Sequence, residues 1–270
     1  MTSRWPLAAF ISLAVATFGA FFIVQHLKVA TPLINGFPAP FPRTFNPVAG
    51  GVCRLRTGRG VARAVSFRRM KVSFYLQNRA DAVDVYIVDP AGRQVRQIGF
   101  DARMRVKVRR TFYWDGRLAD GSIAPDGEYE IRVDLIHQGR SFVISDQSTG
   151  APEPVTVDTA VPRPVVTAVT PASIPASGGR VVAIRYSGAV PGVRRVRVLI
   201  YRAAGGRLRL VKGFEASPRA STVSWDGMIA GRPAPRGSYL VAVRVTNSAC
   251  TTGTSPLTVA AAPRAVLAVG

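Results

Sequence analysis

Along most of this 270-residue chain, apolar and polar side chains alternate with a period of two in short runs separated by turn residues. Val72, Phe74 and Leu76 alternate with Lys71, Ser73 and Tyr75, and Val83, Val85 and Ile87 with Asp84, Tyr86 and Val88. Met104, Val106 and Val108 alternate with Arg103, Arg105, Lys107 and Arg109, and Tyr129, Ile131, Val133 and Leu135 with Glu128, Glu130, Arg132 and Asp134. A pleated strand sends successive side chains to opposite faces, so these runs predict half-buried antiparallel strands with one wet face. Asp89-Pro90-Ala91-Gly92 supplies a turn after the second run. Beyond Pro47 no window keeps a helical period for long, and the predicted class is all-β.

The N-terminus departs from this pattern. Leu7 to Val24 is an uninterrupted apolar run of 18 residues, with Trp5 before it and His26 and Lys28 after it. As a helix it would extend about 27 Å, enough for one membrane crossing, with Trp5 at one interface and His26 and Lys28 at the other. A cleavable signal peptide is the rival reading, but its apolar core is usually about 7 to 15 residues. Lys28 and Pro32 also make a poor cut site around Val29-Ala30-Thr31. The expectation is one uncleaved transmembrane helix, N-terminus in the cytoplasm and the rest outside the plasma membrane. Pro32, Pro38, Pro40, Pro42 and Pro47 follow with almost no charge and predict an extended, semi-rigid stalk.

An internal repeat divides what remains. Trp114-Asp115-Gly116, followed by Pro125-Asp126-Gly127-Glu128-Tyr129, returns as Trp225-Asp226-Gly227 followed by Pro235-Arg236-Gly237-Ser238-Tyr239, one residue shorter. The two tryptophans are 111 positions apart, the size of one Ig-like domain. Val196, Val198 and Ile200 precede Gly205-Gly206 as Val83 to Ile87 precede Pro90 to Gly92, and Val241, Val243 and Val245 match Ile131, Val133 and Leu135. Gly116, Gly127, Gly227 and Gly237 suit positive-φ turn positions, with Pro125 and Pro235 presetting the bend. Each tryptophan is expected to plug one end of a sandwich, with Tyr129 or Tyr239 opening the next inward-facing strand.

The W-D-G…P-x-G-x-Y signature closely resembles the Ig-like module of the flagellar hook-capping protein, the FlgD-type Ig-like domain, over roughly residues 65–145 and again over 180–248. The resemblance implies two tandem Ig-like or fibronectin-III-like sandwiches, a bacterial exported setting and no catalytic activity. Exported copies often begin with an Asn-Gly-Asp-rich turn. Here Phe45-Asn46-Pro47 leads into Ala49-Gly50-Gly51-Val52-Cys53, without acidic ligands. The predicted division is a cytoplasmic stub and membrane helix over 1–28, the stalk over 29–47, Ig-like domains over 48–158 and 165–260 joined by a linker at 159–164, and a tail over 261–270.

Cys53 and Cys250 are the only cysteines, and both lie in stretches that read as irregular. In an oxidising compartment they are expected to form one intramolecular disulfide, two free or intermolecularly paired thiols being the alternative. By analogy with the first domain, Thr246 to Gly253 is a hairpin at the end where its domain begins. Cys53 reaches that junction only if residues 48–62 run back along the first domain.

Charge adds a second theme. Lys and Arg number 36 against 15 Asp and Glu, for a net charge of +21, and only Lys28, Lys71, Lys107 and Lys212 are lysine. Such a field favours anionic partners, whether lipid head groups or envelope polymers, although a GC-rich genome also enriches Arg, Ala, Gly and Pro. Arg54, Arg56, Arg59, Arg63, Arg68 and Arg69 form the densest cluster, either a solvated strand face or a contact for an anionic surface. Only Phe67 interleaves with them, which argues against nucleic acid.

No cofactor, metal or catalytic residue is expected. Asp115, Asp120 and Asp126 lack calcium-loop spacing, and the second copy keeps only Asp226. His137 reads as a solvated turn residue with no nucleophile beside it, and Gly58-Arg59-Gly60 lacks the Lys-Ser/Thr of a phosphate loop. The function expected is a non-enzymatic structural or binding module of the envelope with an unidentified protein partner. The alternative is an accessory or spacer subunit of an envelope enzyme, or an anionic-polymer-binding protein.

Overall fold

The structure, a computed structural model, describes residues 10–21, 34–35, 40–56, 62–146, 148–188 and 192–270. Strands dominate, gathered around two hydrophobic cores.

Around the first core, a small sheet orders Ile34–Asn35, Met70–Leu76 and Arg110–Trp114. It faces a six-stranded sheet ordered Thr44–Phe45, Val155–Val157, Gly127–Leu135, Asp81–Val88, Gln94–Met104, with Arg140–Val143 also paired to Gly127–Leu135. The alternation read from the sequence becomes burial: along Met70–Leu76, Met70, Val72, Phe74 and Leu76 turn inward while Lys71, Ser73 and Tyr75 turn out.

The second core repeats the plan. A small sheet of Val165–Thr170, Val182–Ser187 and Thr222–Trp225 faces a sheet ordered Ser173–Ile174, Val266–Val269, Gly237–Thr246, Arg195–Ala204, Arg207–Ala216. Thr252–Ser255 pairs with Gly237–Thr246 as Arg140–Val143 pairs with Gly127–Leu135. A parallel strand pairing recurs too, Val155–Val157 with Thr44–Phe45 and Val266–Val269 with Ser173–Ile174.

Four expectations need correction. The proline-rich 29–47 segment is not simply a stalk: Ile34 and Asn35 pair with Leu76 and Tyr75, Phe41 bridges Lys71, and Phe45 is fully buried. A two-residue strand around one large ring leaves no alternation to detect. The 261–270 tail is not featureless: Val266–Val269 is an interior strand of the second large sheet, with Leu267 and Val269 buried. The small alanines around them hid that alternation. Cys53 is not in an irregular segment: Val52–Arg56 pairs antiparallel with Ala62–Ser66, and Cys53 sits in the first of these strands. The run from Met104 to Val108 is not a strand: Gln94–Met104 ends there, and Val106 and Val108 are exposed.

At the N-terminus residues 10–21 are helical, about 18 Å at 1.5 Å per residue. Among the described residues no helix is long and apolar enough to cross a membrane. Both ends of the Leu7 to Val24 run lie outside the described residues. The helical part is exposed along its apolar side chains, Phe10, Leu13, Phe18 and Phe21 among them.

Candidate functional site

The two W-D-G motifs form one structure twice. Trp114 Nε1 donates to the Arg117 carbonyl at 2.9 Å, and Trp225 Nε1 donates to the Met228 carbonyl at 3.1 Å. An indole N–H must find a partner when the ring is buried, and the chain after W-D-G supplies it. Asp115 Oδ1 accepts from the Arg117 amide and Asp226 Oδ1 from the Met228 amide, so both carboxylates hold the turn. Gly116 and Gly227 take φ of 74° and 72°, a region that disfavours any Cβ. Tyr129 donates its hydroxyl to Pro125 and Tyr239 to Pro235, while Gly127 and Gly237 begin the strands that carry them. Trp114 packs edge-on against Phe45 and Tyr129 at 5.5 and 5.1 Å between centroids. Trp225 faces Tyr239 at 6.4 Å.

Asp120 accepts from the Ser122 amide and hydroxyl, and Asp126 from the Thr159 amide at the start of the linker. Each acidic side chain of this loop therefore has a local turn or linker role. Among the described residues no group of three or more His, Cys, Asp and Glu is arranged to hold a metal ion. His137 is more than a solvated turn: its ring Nδ1 lies 2.7 Å from Oδ1 of Asp81, whose side chain is fully buried. Burial pushes the Asp81 carboxyl up, but hydrogen bonds from the His137 amide and ring, Gln138 and the Ala82 amide outweigh it and hold the group below its ordinary value.

Where the sandwiches meet, Cys53 and Cys250 are joined, with 6.0 Å between Cα atoms. The Val52–Arg56 strand of the first sandwich is thereby tied to the turn between Gly237–Thr246 and Thr252–Ser255 of the second. Hydrogen bonds surround the link. Asn46 Nδ2 donates to Thr251 Oγ1 at 3.2 Å, the Gly51 amide to the Cys250 carbonyl, and Asn247 Nδ2 to Asp158 Oδ2 at 3.1 Å. Asn46, Asn247 and Thr251 are buried, and the Arg194 guanidinium covers the Phe67 ring at 5.4 Å. At Gly253 a Cβ would meet the Pro162 carbonyl oxygen at 1.7 Å, so the linker lies directly on this turn.

Among the described residues, the arginines of the cluster do not share one face. In the strand pair, Arg54 opposes Ala64 and Leu55 opposes Arg63, so Arg54 and Arg63 point to opposite faces. Arg68 turns its Nε back to the Gly50 carbonyl at 3.2 Å. Arg69 leaves the group to stack 4.8 Å above the Tyr113 ring. Arg56 lies in the strand without a described side chain, and Arg59 lies outside the described residues.

Arg69 instead joins a surface that sequence proximity did not reveal, the outer face of the first small sheet. Register sets Phe41 beside Lys71 and Lys71 beside Tyr113, forming one row. Two residues along, Ser73 and Thr111 share a hydroxyl hydrogen bond at 2.7 Å. Two further, Asn35 sits beside Tyr75, whose ring lies 6.0 Å from the Arg109 guanidinium. Arg109 also donates to the Ser73 carbonyl at 3.3 Å. The signal available in the sequence was the outward parity of Lys71, Tyr75 and Tyr113. Their grouping needed the register.

With this geometry in view, the family match falls on the first sandwich. Residues 62–139 match the FlgD Ig-like domain family. Over 68 residues the chain is 38% identical to the basal-body rod modification protein FlgD of Salmonella typhimurium, covering 25% of this chain and 28% of that protein. The FlgD of Escherichia coli strain K12 matches at the same 38% over 68 residues, 29% of its length. The chain thus covers little more than a quarter of these curated relatives. Among solved structures, the FN1-FN3 domains of chicken CNTN1 align at 11% identity with a TM-score of 0.35, over 77% of this chain and 64% of that one. The second W-D-G motif lies outside the 62–139 family match.

Proposed function

We propose that this chain is a non-enzymatic, membrane-anchored module of the bacterial cell envelope. Its two Ig-like units, Ile34 through Val157 and Val165 through Val269, stand outside the plasma membrane as one fixed body, with the N-terminus in the cytoplasm. The observation that carries this reading is the Cys53–Cys250 disulfide between the two sandwiches. Disulfides persist in oxidising compartments and are rare in the cytosol. The surrounding buried hydrogen bonds would hold the same arrangement, so the link rigidifies a junction already packed.

Three further features support the reading. The matched FlgD Ig-like segment belongs to a structural module. The second sandwich repeats the strand order and the Trp and Tyr hydrogen bonds of the first, consistent with a second copy of that module. Among the described residues nothing buries the apolar helix at residues 10–21, and the apolar run of the sequence extends beyond it in both directions. A lipid bilayer is the environment that accepts such a surface. Anionic lipids or envelope polymers are the partners that the charge of +21 would attract.

The test is protease accessibility in bacterial spheroplasts carrying the full-length chain. Protease added outside should remove both sandwiches and leave a short membrane-bound fragment. Full protection, or a mature N-terminus near Thr31, would overturn the anchored, exported arrangement.

A further inference from the structure

We infer that the outer face of the first small sheet is a binding surface for a carboxylate-bearing polysaccharide. The inference rests on the envelope reading above and names the class of partner.

The face is built around Tyr75 and Tyr113, each accompanied by a guanidinium, with Lys71 beside Tyr113 on the central strand. No strand of this sheet contains a carboxylate. The nearest along the chain, Asp115, lies past the end of its strand and accepts from the Arg117 amide. Arg69 and Lys71 therefore project a positive field that no acid on the sheet offsets, and the complementary partner is an anion.

The second sandwich provides an internal comparison at matched register. Met70 opposite Trp114 corresponds to Val182 opposite Trp225. The row Phe41, Lys71, Tyr113 is then replaced by Thr170, Ala183, Ser224, and Tyr75 by Ser187. The same fold forms with threonine, alanine and serine at these sites. The aromatic and cationic side chains of the first face are therefore not required by the sandwich, and they serve its surface.

Chemistry narrows the anion. Arginine's planar fork matches a carboxylate with two parallel hydrogen bonds. Tyrosine hydroxyls offer hydrogen-bond partners for sugar hydroxyls, and the exposed Tyr113 side chain suits the apolar face of a pyranose ring. Tyr75 and Tyr113 lie about 13 Å apart along the sheet, four residues at about 3.3 Å. That spacing spans several sugars of an extended chain but leaves no platform for successive stacked bases, as single-stranded nucleic acid requires.

The experiment uses the full-length chain in detergent, with binding measured calorimetrically to polygalacturonate, uncharged dextran and oligodeoxythymidylate at low and high salt. Polygalacturonate should bind best and weaken with salt. Tyr75→Ser with Tyr113→Ser installs the residues of the second sandwich and leaves net charge unchanged. It should weaken polygalacturonate about tenfold or more, as expected for central tyrosines in an interface. Should that variant fail to fold, Arg69→Gln with Lys71→Gln carries the test against Arg207→Gln with Arg209→Gln, an equal loss of charge on exposed positions of the second sandwich. Only the first pair should weaken binding. Wild-type affinity in the tyrosine variant, equal loss in both charge pairs, equal binding of dextran, tighter binding of the oligonucleotide or no binding at low salt would each overturn the inference. Because the protein is purified, a negative result here leaves the spheroplast result standing. Protection from protease with intact polysaccharide binding would refute the location alone.

Discussion

The hydroxyl of Tyr129 donates to the carbonyl of Pro125 at 2.9 Å, four residues back along its own chain. Tyr239 does the same to Pro235 at 2.6 Å. Each bond closes the excursion that follows a W-D-G turn, and each tyrosine ring is buried, so losing the hydroxyl leaves a carbonyl short of a partner. Tyr129→Phe and Tyr239→Phe are expected to cost about 0.5 to 1.5 kcal/mol each. Urea denaturation followed by circular dichroism measures this, and an unchanged midpoint in both variants would show that water serves these carbonyls equally well.

Trp114 and Trp225 are the largest fully buried side chains of their cores. Trp→Ala at either position removes the ring and leaves a cavity, with an expected cost of about 3 to 5 kcal/mol in its own sandwich. Calorimetry of the oxidised protein should show the affected sandwich melting earlier. An unaltered thermogram would mean that the neighbouring chain closes over the void.

Much of this was legible in the sequence, for a physical reason. Strands with one wet face declare themselves by alternation, and the W-D-G turn declares itself by glycines that must take positive φ, as Gly116 and Gly227 do. The elements missed break one of those rules. Gln94–Met104 is an edge strand, half-buried over Val95 to Gly99, and shows little alternation there. Thr44–Phe45 is too short to have a period. Arg54 and Arg63 are near in sequence yet face opposite ways in their strand pair, whereas Phe41, Lys71 and Tyr113 meet only through pairing between distant strands.

Asp81 gives the fold a sensitivity to acid. Its carboxyl is held below the ordinary value in the folded state. The stabilisation is therefore fully present above the unfolded value near 3.8 and is lost as pH falls through the folded value. Asp81→Asn should destabilise the first sandwich by about 1 to 3 kcal/mol near neutral pH, with the difference from wild type shrinking well below about pH 4. Denaturant titrations at about pH 6 and about pH 3 test this. A difference that stays constant between them would show that the charge of Asp81 does not contribute.

The disulfide closes a loop of 197 positions. In the chain-entropy model, a loop of that size limits the unfolded state by roughly 5 kcal/mol. Cys53→Ser with Cys250→Ser should lower stability by up to that amount, while the Asn46–Thr251 and Asn247–Asp158 hydrogen bonds keep the junction formed. A double variant as stable as wild type would mean that the junction alone limits the unfolding of both units.

The measurement that bears most directly on an exported, fixed pair of sandwiches is peptide mapping of the full-length protein taken from native membranes. Free thiols are blocked before lysis, and no reductant is used. The expected result is one linked pair of peptides carrying Cys53 and Cys250, with no alkylated cysteine. Recovery of both cysteines as alkylated thiols would contradict it, and with it the claim that the two sandwiches are covalently held as one body outside the cell.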